Sequence, residues 1–299
     1  YNILFLITKM ANIAQRIPKW STKRIKLGSS LHKTKGLLRD LRLNTVCESA
    51  RCPNISECFS KPTATFMILG DVCSRQCNFC SVEKGAAIPP DASEPKRIAE
   101  AVKRLGLRHV VITSVTRDDL TDGGAGHFAD VIKELFKIQD SKFKIQIEVL
   151  TPDFNGSIDA LKNVVSAGPH IFNHNLETVP RLYSTVRPQA DYKRSLVVLK
   201  NVKDMAPAIY TKSGIMVGLG ETEQEVIEVM KDLRDVGCDF ITIGQYLQPR
   251  KENLPVYEYV KPEVFERYKV IAEGLGFLRV ASGPFVRSSF NAEEMISSR

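Results

Sequence analysis

Eight residues constrain this chain more than any others. Cys73-Ser-Arg-Gln-Cys77-Asn-Phe-Cys80 supplies three thiols from one loop, at C-x3-C-x2-C spacing. An iron–sulfur cube of four irons normally takes four cysteine ligands. Three local thiols would leave one iron open to something else. The loop follows Thr65-Phe-Met-Ile-Leu-Gly70, an apolar run that reads as a strand. A metal group on the loop would therefore lie just past the carboxyl end of a strand, where barrel enzymes place their chemistry. A structural zinc loop is the plain alternative. Zinc sites usually close with four ligands, often as two C-x2-C pairs, and this loop has no such pairing.

A second triad precedes that strand: Cys47-Glu-Ser-Ala-Arg-Cys52-Pro-Asn-Ile-Ser-Glu-Cys58, spaced C-x4-C-x5-C. The chain holds seven cysteines, six of them between positions 47 and 80. A secreted disulfide framework spreads its cysteines and prefers an even count. Clustered thiols point instead to metal binding in a reducing compartment. Disulfide pairing would leave one thiol over in each triad, so the second triad reads as a second iron–sulfur site. Cys238 stands apart, before the apolar run Phe240-Ile-Thr-Ile-Gly244, and reads as a buried structural thiol.

Beyond Cys80, strand-like and helix-like segments alternate. Strands are expected at His109–Thr113, Ile145–Leu150, Ile171–Asn175, Ser213–Val217 and Phe240–Gly244. Helices are expected at Glu94–Leu105, Phe128–Ile138, Asp159–Val165, Tyr192–Lys203 and Glu223–Val236, the last capped by Thr222. With the strand before the thiol loop, this makes about six strand–helix units. The expectation is an α/β fold: a parallel sheet with outer helices, closed into a partial barrel. At 299 residues there is room for one such barrel plus extensions. The expected division is a basic arm and second-triad segment over 1–62, the partial barrel over 63–280 and a tail over 281–299. A short helix, Leu31–Leu43, capped by Ser30, is expected within the arm.

The net charge of +8 sits at one end. Residues 1–46 hold ten Lys or Arg against Asp40 alone, and the remainder sums to −1. Such an arm can bind nucleic acid or an acidic protein, or can simply be a solvated face. Tyr1–Thr8 is apolar with no basic segment before it, a poor signal peptide, and Met10 is the expected start. No run approaches the ~18 apolar residues of a membrane span.

The first thiol loop, with Phe79 before its last cysteine, resembles the signature of the radical S-adenosylmethionine (radical SAM) superfamily. The resemblance implies a four-iron cluster on Cys73, Cys77 and Cys80, whose open iron is chelated by SAM. It implies a partial barrel of six strand–helix units. It also gives roles to polar residues after the strands. Asp122, Gly123 and Gly124 become candidates to hold the SAM amino group. Asn173, Asn175 and Arg187 become candidates for its carboxylate or ribose hydroxyls, and Gly218 and Gly220 for packing its adenine. His174 receives no catalytic role.

Within that superfamily, the two triads together resemble the lipoyl synthase family. So do Thr113-Ser-Val-Thr-Arg117-Asp-Asp-Leu, Asn173-His-Asn-Leu-Glu-Thr-Val-Pro180, Val-Arg187-Pro and Ser282-Gly-Pro-Phe-Val-Arg-Ser-Ser-Phe290. The chain departs from the family at Phe290, where Tyr is usual, and at Asn253, where His is common. The resemblance implies insertion of two sulfur atoms, at C6 and C8 of a protein-bound octanoyl-lysine. Two SAM molecules are consumed per lipoyl group. The sulfur comes from an auxiliary four-iron cluster on Cys47, Cys52 and Cys58, with Ser289 as fourth ligand. The implied partners are octanoylated lipoyl-carrier domains (E2 subunits of 2-oxoacid dehydrogenases, the H protein of glycine cleavage) and an electron donor such as ferredoxin or flavodoxin. A cytoplasmic monomer is expected, without membrane or nucleic-acid partners. Two other classes fit parts of the pattern: a methylthiotransferase with an auxiliary cluster, and a non-enzymatic iron–sulfur or zinc protein binding nucleic acid through its arm.

Overall fold

The computed structural model describes residues 17–23, 29–59 and 63–289. Met10, Arg24, Lys26 and Phe290 lie outside the described residues, as does the side chain of Ser30.

Ten strands form. In chain order they are β1 (Asn44–Thr45), β2 (Thr63–Ile68), β3 (Val72–Cys73), β4 (Glu83–Lys84), β5 (His109–Ser114), β6 (Gln146–Leu150), β7 (Ile171–Asn173), β8 (Tyr210–Val217), β9 (Phe240–Gln245) and β10 (Arg279–Gly283). Eight make one sheet in the order β1-β2-β5-β6-β7-β8-β9-β10. From β2 to β10 every pairing is parallel, and only β1 runs antiparallel, against β2. A parallel neighbour needs a crossover, and helices supply it. Glu94–Leu105, Ala125–Lys137, Ile158–Ser166, Tyr192–Met205, Glu223–Asp235 and Pro262–Gly274 pack outside. β3 and β4 form a small separate ribbon that frames the first thiol loop.

The expected α/β partial barrel is therefore what forms, with two additions. Pro262–Gly274 and β10 extend the sheet by a further parallel strand beside β9. The expected boundary at 280 thus falls inside β10, and the tail proper begins after Gly283. β10 has Gly, Ser and Ala in place of branched residues, so its period was too weak to read.

Local chemistry sets the helix starts. Ser157, Asp191 and Thr222 each accept a backbone N–H of the first turn, worth about 0.5–2 kcal/mol per cap. Thr222 and Glu225 complete a reciprocal capping box. The apolar core lies between sheet and helices in two main bodies. One gathers Phe66, Ile112, Phe128 and Phe172, the other Val229, Met230, Ile243 and Phe265. Cys238 is in the second, fully buried, its thiol pushed up to about 12 by burial. It is the structural thiol that its context implied.

Inside the barrel the strands turn polar. Glu148, fully buried, accepts from Lys212 Nζ (2.9 Å) and Asn173 Nδ2 (3.0 Å), and meets His109 Nε2 at 3.3 Å. Burial alone would raise this carboxyl; Lys212 and His109 outweigh it and hold it down to about 2. Removing one partner from such a buried pair costs about 3–5 kcal/mol.

Candidate functional site

The site is built where β2 ends. Leu69 and Gly70 both adopt positive φ, 67° and 94°. For a leucine this conformation is strained, and the surroundings over-determine it. The Leu69 N–H donates to Glu94 Oε2 (3.0 Å), and its carbonyl accepts from Arg117 Nη1 (3.3 Å). Its side chain fills the space above Gly124, where a methyl group would stand 2.3 Å from Leu69 Cδ1. The chain then turns sharply into the first thiol loop.

That loop is pinned from several sides. Arg75, 5% exposed, forks onto Asp118 (2.7 and 2.9 Å) and reaches Asp153 Oδ1 (2.7 Å) and Asn155 Oδ1 (2.8 Å). The Thr116 N–H donates to Cys73 Sγ at 3.3 Å. Asn78 donates its backbone N–H to Val186 O and its amide to Thr185 O. Gln189 accepts the Gln76 N–H. Asn253, at the position where the family's His is usual, donates to the carbonyls of Asn78 (3.1 Å) and Cys80 (3.0 Å). An amide there does a clear job: it fixes the backbone of the loop.

None of the seven cysteines is joined in a disulfide. Burial pushes Cys80 up to about 12 and raises Cys77, while Arg187 and Arg75 pull Cys77 the other way. Among the described residues, no three His, Cys, Asp or Glu side chains converge on a single metal ion. A four-iron cube binds its thiolates on separate irons, so its ligands stand apart.

The residues present also fit a polar ligand beside such a cluster. Asn173 Oδ1, His174 Nε2, Asn175 Oδ1 and Arg187 Nε are buried without a hydrogen-bond partner. Buried polar atoms are normally paired, so four orphans on one short segment and its neighbour point to an absent polar molecule. Arg187 Nη1 is committed to the carbonyls of Asn175 (2.8 Å) and Leu176 (3.1 Å). His174 is held neutral, its pKa lowered to about 4 by burial and by Arg187. Glu177 is also near: it accepts from Asn175 Nδ2 at 3.0 Å, and burial raises its carboxyl.

The other strand-end candidates sort differently. Asp122 spends both carboxylate oxygens on the Gly124 and Gly126 N–H groups, each at 2.8 Å, closing the turn into Ala125–Lys137. Gly123 and Gly124 take positive φ in that turn. Gly218, with φ of 95°, would place a methyl 2.4 Å from Glu258 O, and Gly220 packs against Tyr257. These glycines shape the wall of the site.

Cys47 and Cys58 of the second triad lie on two short helices, Val46–Ser49 and Ile55–Cys58, and Cys52 lies in the turn between them. Burial pushes Cys47 up to about 12, with Cys52 and Cys58 close enough to add to it. Ser81, just after Cys80, donates to Ser49 O at 2.7 Å and ties the two triads together. The tail closes over this segment. Asn54 Nδ2 donates to Phe285 O at 2.7 Å. Arg287, within reach of the charge of Cys52, has its guanidinium on the carbonyl of Val286 at 2.6 Å. Ser288 accepts from Asn175 Nδ2 at 2.7 Å, so its oxygen faces the barrel. Sequence reasoning missed Arg75, Asn54 and the role of Asn253. A charged residue inside a thiol loop, as Arg75 is, was the available signal.

Two family models match the chain: the radical SAM superfamily over residues 67–233, and the N-terminal domain of lipoyl synthase over residues 6–52. Lipoyl synthase of Caldanaerobacter subterraneus subsp. tengcongensis is 59% identical over 282 residues, covering 94% of this chain and 98% of its own. That of Caldicellulosiruptor saccharolyticus is 60% identical over 277 residues, covering 93% and 96%. Among solved structures, methylornithine synthase superposes with a TM-score of 0.54 at 13% identity, over 93% of this chain and 89% of its own. A maturase of the FeFe-hydrogenase gives 0.57 at 14%, over 89% and 72%. At that identity the structural likeness speaks for the fold alone.

Proposed function

We propose a division of labour that proceeds from one premise: this chain belongs to the lipoyl synthase family of the radical SAM superfamily. It is an enzyme that inserts sulfur at C6 and C8 of a protein-bound octanoyl-lysine. When bound, two four-iron clusters and SAM supply what side chains cannot: a radical that takes each hydrogen, and the sulfur that replaces it.

In this reading Cys73, Cys77 and Cys80 hold the SAM-binding cluster, and Cys47, Cys52, Cys58 and Ser289 hold the auxiliary one. Support for the first assignment is the rigid loop, locked by Arg75 and Asn253 before any metal arrives. Support for the second is Asn54. It lies between Cys52 and Cys58 and holds the carbonyl of Phe285, four residues before Ser289. Ser288 is engaged by Asn175, which leaves Ser289, beside it in the same turn, as the candidate ligand.

Asn173, Asn175 and Arg187 orient SAM through their unpartnered atoms. Asp122, Gly123 and Gly124 shape the turn that approaches its amino group. Gly218 and Gly220 leave the flat wall on which its adenine packs. Arg75, paired with Asp118 and Asp153, keeps the cluster loop from shifting between turnovers.

Lipoyl-carrier domains are the substrates. The finer reading names octanoylated E2 subunits and the H protein, with ferredoxin or flavodoxin as donor. Among the described residues no helix is long and apolar enough to cross a membrane. The arm's part is smaller than its charge suggests. Lys23 is tied internally to Glu57 (2.6 Å) and Asn54 (2.7 Å), so it is not reserved for a carrier.

The observation that carries the whole is the coincidence of two thiol triads, one on the barrel and one under the tail, in a chain of this family. The test is anaerobic incubation with SAM, a reductant and an octanoyl-lysyl peptide, read by mass spectrometry. The expected products are 5′-deoxyadenosine and a peptide carrying two sulfurs. Formation of 5′-deoxyadenosine without any sulfur on the peptide would sink the auxiliary-cluster assignment.

A further inference from the structure

The tail crosses two strands that each carry one glycine, Gly214 and Gly244. At Gly244 of β9 an added methyl would stand 2.2 Å from Val286 O. At Gly214 of β8 it would stand 2.9 Å from Ser288 Oγ and from Asn175 Oδ1, and 2.7 Å from Thr242 Oγ1. Neither glycine has positive φ, so backbone strain does not require them. Close approach of the tail does. Beyond these glycines the tail meets Asn54, whose side chain is fully buried and satisfied at both ends. Its amide donates to Phe285 O at 2.7 Å, and its oxygen accepts from Lys23 Nζ at 2.7 Å. Lys23 also lies 5.4 Å from the centre of the Phe285 ring. Three segments far apart in sequence, the arm, the second-triad loop and the tail, therefore meet at one amide.

We propose that Asn54, Gly214 and Gly244 are positioning residues that seat the tail on the Cys47–Cys58 segment independently of metal. The seat is made of protein hydrogen bonds and close backbone packing, none of which uses a thiol or Ser289. It holds the tail in place when the segment carries no iron, so Ser289 stays at hand while a cluster is taken apart and rebuilt. That last consequence rests on the ligand reading above; the seating itself does not.

Arg287–Ser288 offers a direct probe, because trypsin cleaves after Arg. In the metal-free chain this bond is expected to be protected, and the released peptide beginning at Ser288 identifies its cleavage by mass. Asn54→Asp keeps an acceptor for Lys23 and removes the donor to Phe285. It should speed that cleavage about tenfold, the worth of one buried hydrogen bond. Gly244→Ala, which pushes on Val286 from the other side, should do the same or more. Ser289→Ala should leave the rate unchanged. After iron loading, Asn54→Asp should lose the spectroscopic signature of the auxiliary cluster while keeping that of the SAM-binding cluster. A metal-free wild-type chain cut at Arg287 as fast as either variant would overturn the proposal. Protection that vanished in Ser289→Ala would overturn it too, by making the serine the anchor. If Ser289 proves not to be a ligand, the cleavage pattern still stands or falls on its own.

Discussion

The two thiol triads are chemically alike and mechanically opposite. Cys73, Cys77 and Cys80 are held by the barrel itself: Arg75 reaches Asp118, Asp153 and Asn155, and Asn253 clasps two loop carbonyls. Cys47 and Cys58 are on two four-residue helices outside the strands of the barrel, with Cys52 in the turn between them, and the segment is closed by the arm and the tail as well as by the bond from Ser81 to Ser49 O. A cofactor that must work repeatedly without moving suits the first kind of support. One that is consumed and renewed suits the second, which can loosen without unfolding the sheet. The difference in scaffold anticipates the difference in fate.

The harshest way to break this comparison is to remove one thiol from each triad. Cys77→Ala should abolish SAM cleavage altogether. Cys52→Ala should keep it and stop sulfur insertion. If the Cys77 variant made 5′-deoxyadenosine at the normal rate, the roles would have to be exchanged or abandoned. Next in size is the tail. Ser289→Ala should retain SAM cleavage and lose most sulfur transfer, with Ser288→Ala the milder change, because it loses only the bond to Asn175. Product carrying both sulfurs at the unmodified rate from Ser289→Ala would remove the serine from the ligand set.

Arg75 sharpens the comparison from the barrel side. Arg75→Ala leaves the buried carboxylate of Asp153 without its closest cation. Arg194 Nε stays 3.0 Å from the same carboxylate, so the loss is that of charge-assisted hydrogen bonds, about 1.5–3 kcal/mol, measured by denaturant unfolding of the metal-free chain. The same test applied to Lys23→Ala, whose ion pair is partly exposed, should cost about 1 kcal/mol or less. Equal costs would mean that the two triads are supported alike.

A pH dependence probes the barrel side in a different way. His174 has a folded pKa of about 4 against an ordinary 6.5, lowered by burial and by Arg187. Its stabilising contribution is fully present above about pH 6.5 and is lost as pH falls toward 4, because the unfolded chain takes up the proton more readily. His174→Gln should flatten the stability profile of the metal-free chain across that window. An unchanged slope would show that the ring is already protonated in its pocket.

Much of this was legible in sequence, for identifiable reasons. The strands and helices of the barrel announce themselves because apolar periodicity is strong there; Glu94–Leu105 forms where a helix was expected. The thiols are legible because spacing is itself the signal. What could not be read is what depends on separation. Nothing near Asn54 says that its partner is Phe285, and nothing in β9 says that Gly244 is small to admit a carbonyl. The Asp122–Gly124 turn shows the opposite hazard. A polar, glycine-rich stretch after a strand invites a ligand, yet its carboxylate is already spent on its own backbone. Asn253 was a departure from family pattern without a role until Cys80 O was found against it.

The hydrogen bond from Asn54 to Phe285 spans 231 positions of sequence. A chain is made from its amino end, at about 5–20 residues per second. The segment bearing Cys47, Cys52 and Cys58 is thus among the earlier parts synthesised, yet its covering is among the later. For the interval between, three thiols stand without their lid while the barrel folds. The order of manufacture, and not only the finished architecture, decides which of the two triads is enclosed first: the loop of Cys73, Cys77 and Cys80 has its hydrogen-bond partners once Asn253 is made, whereas its neighbour must wait for the tail.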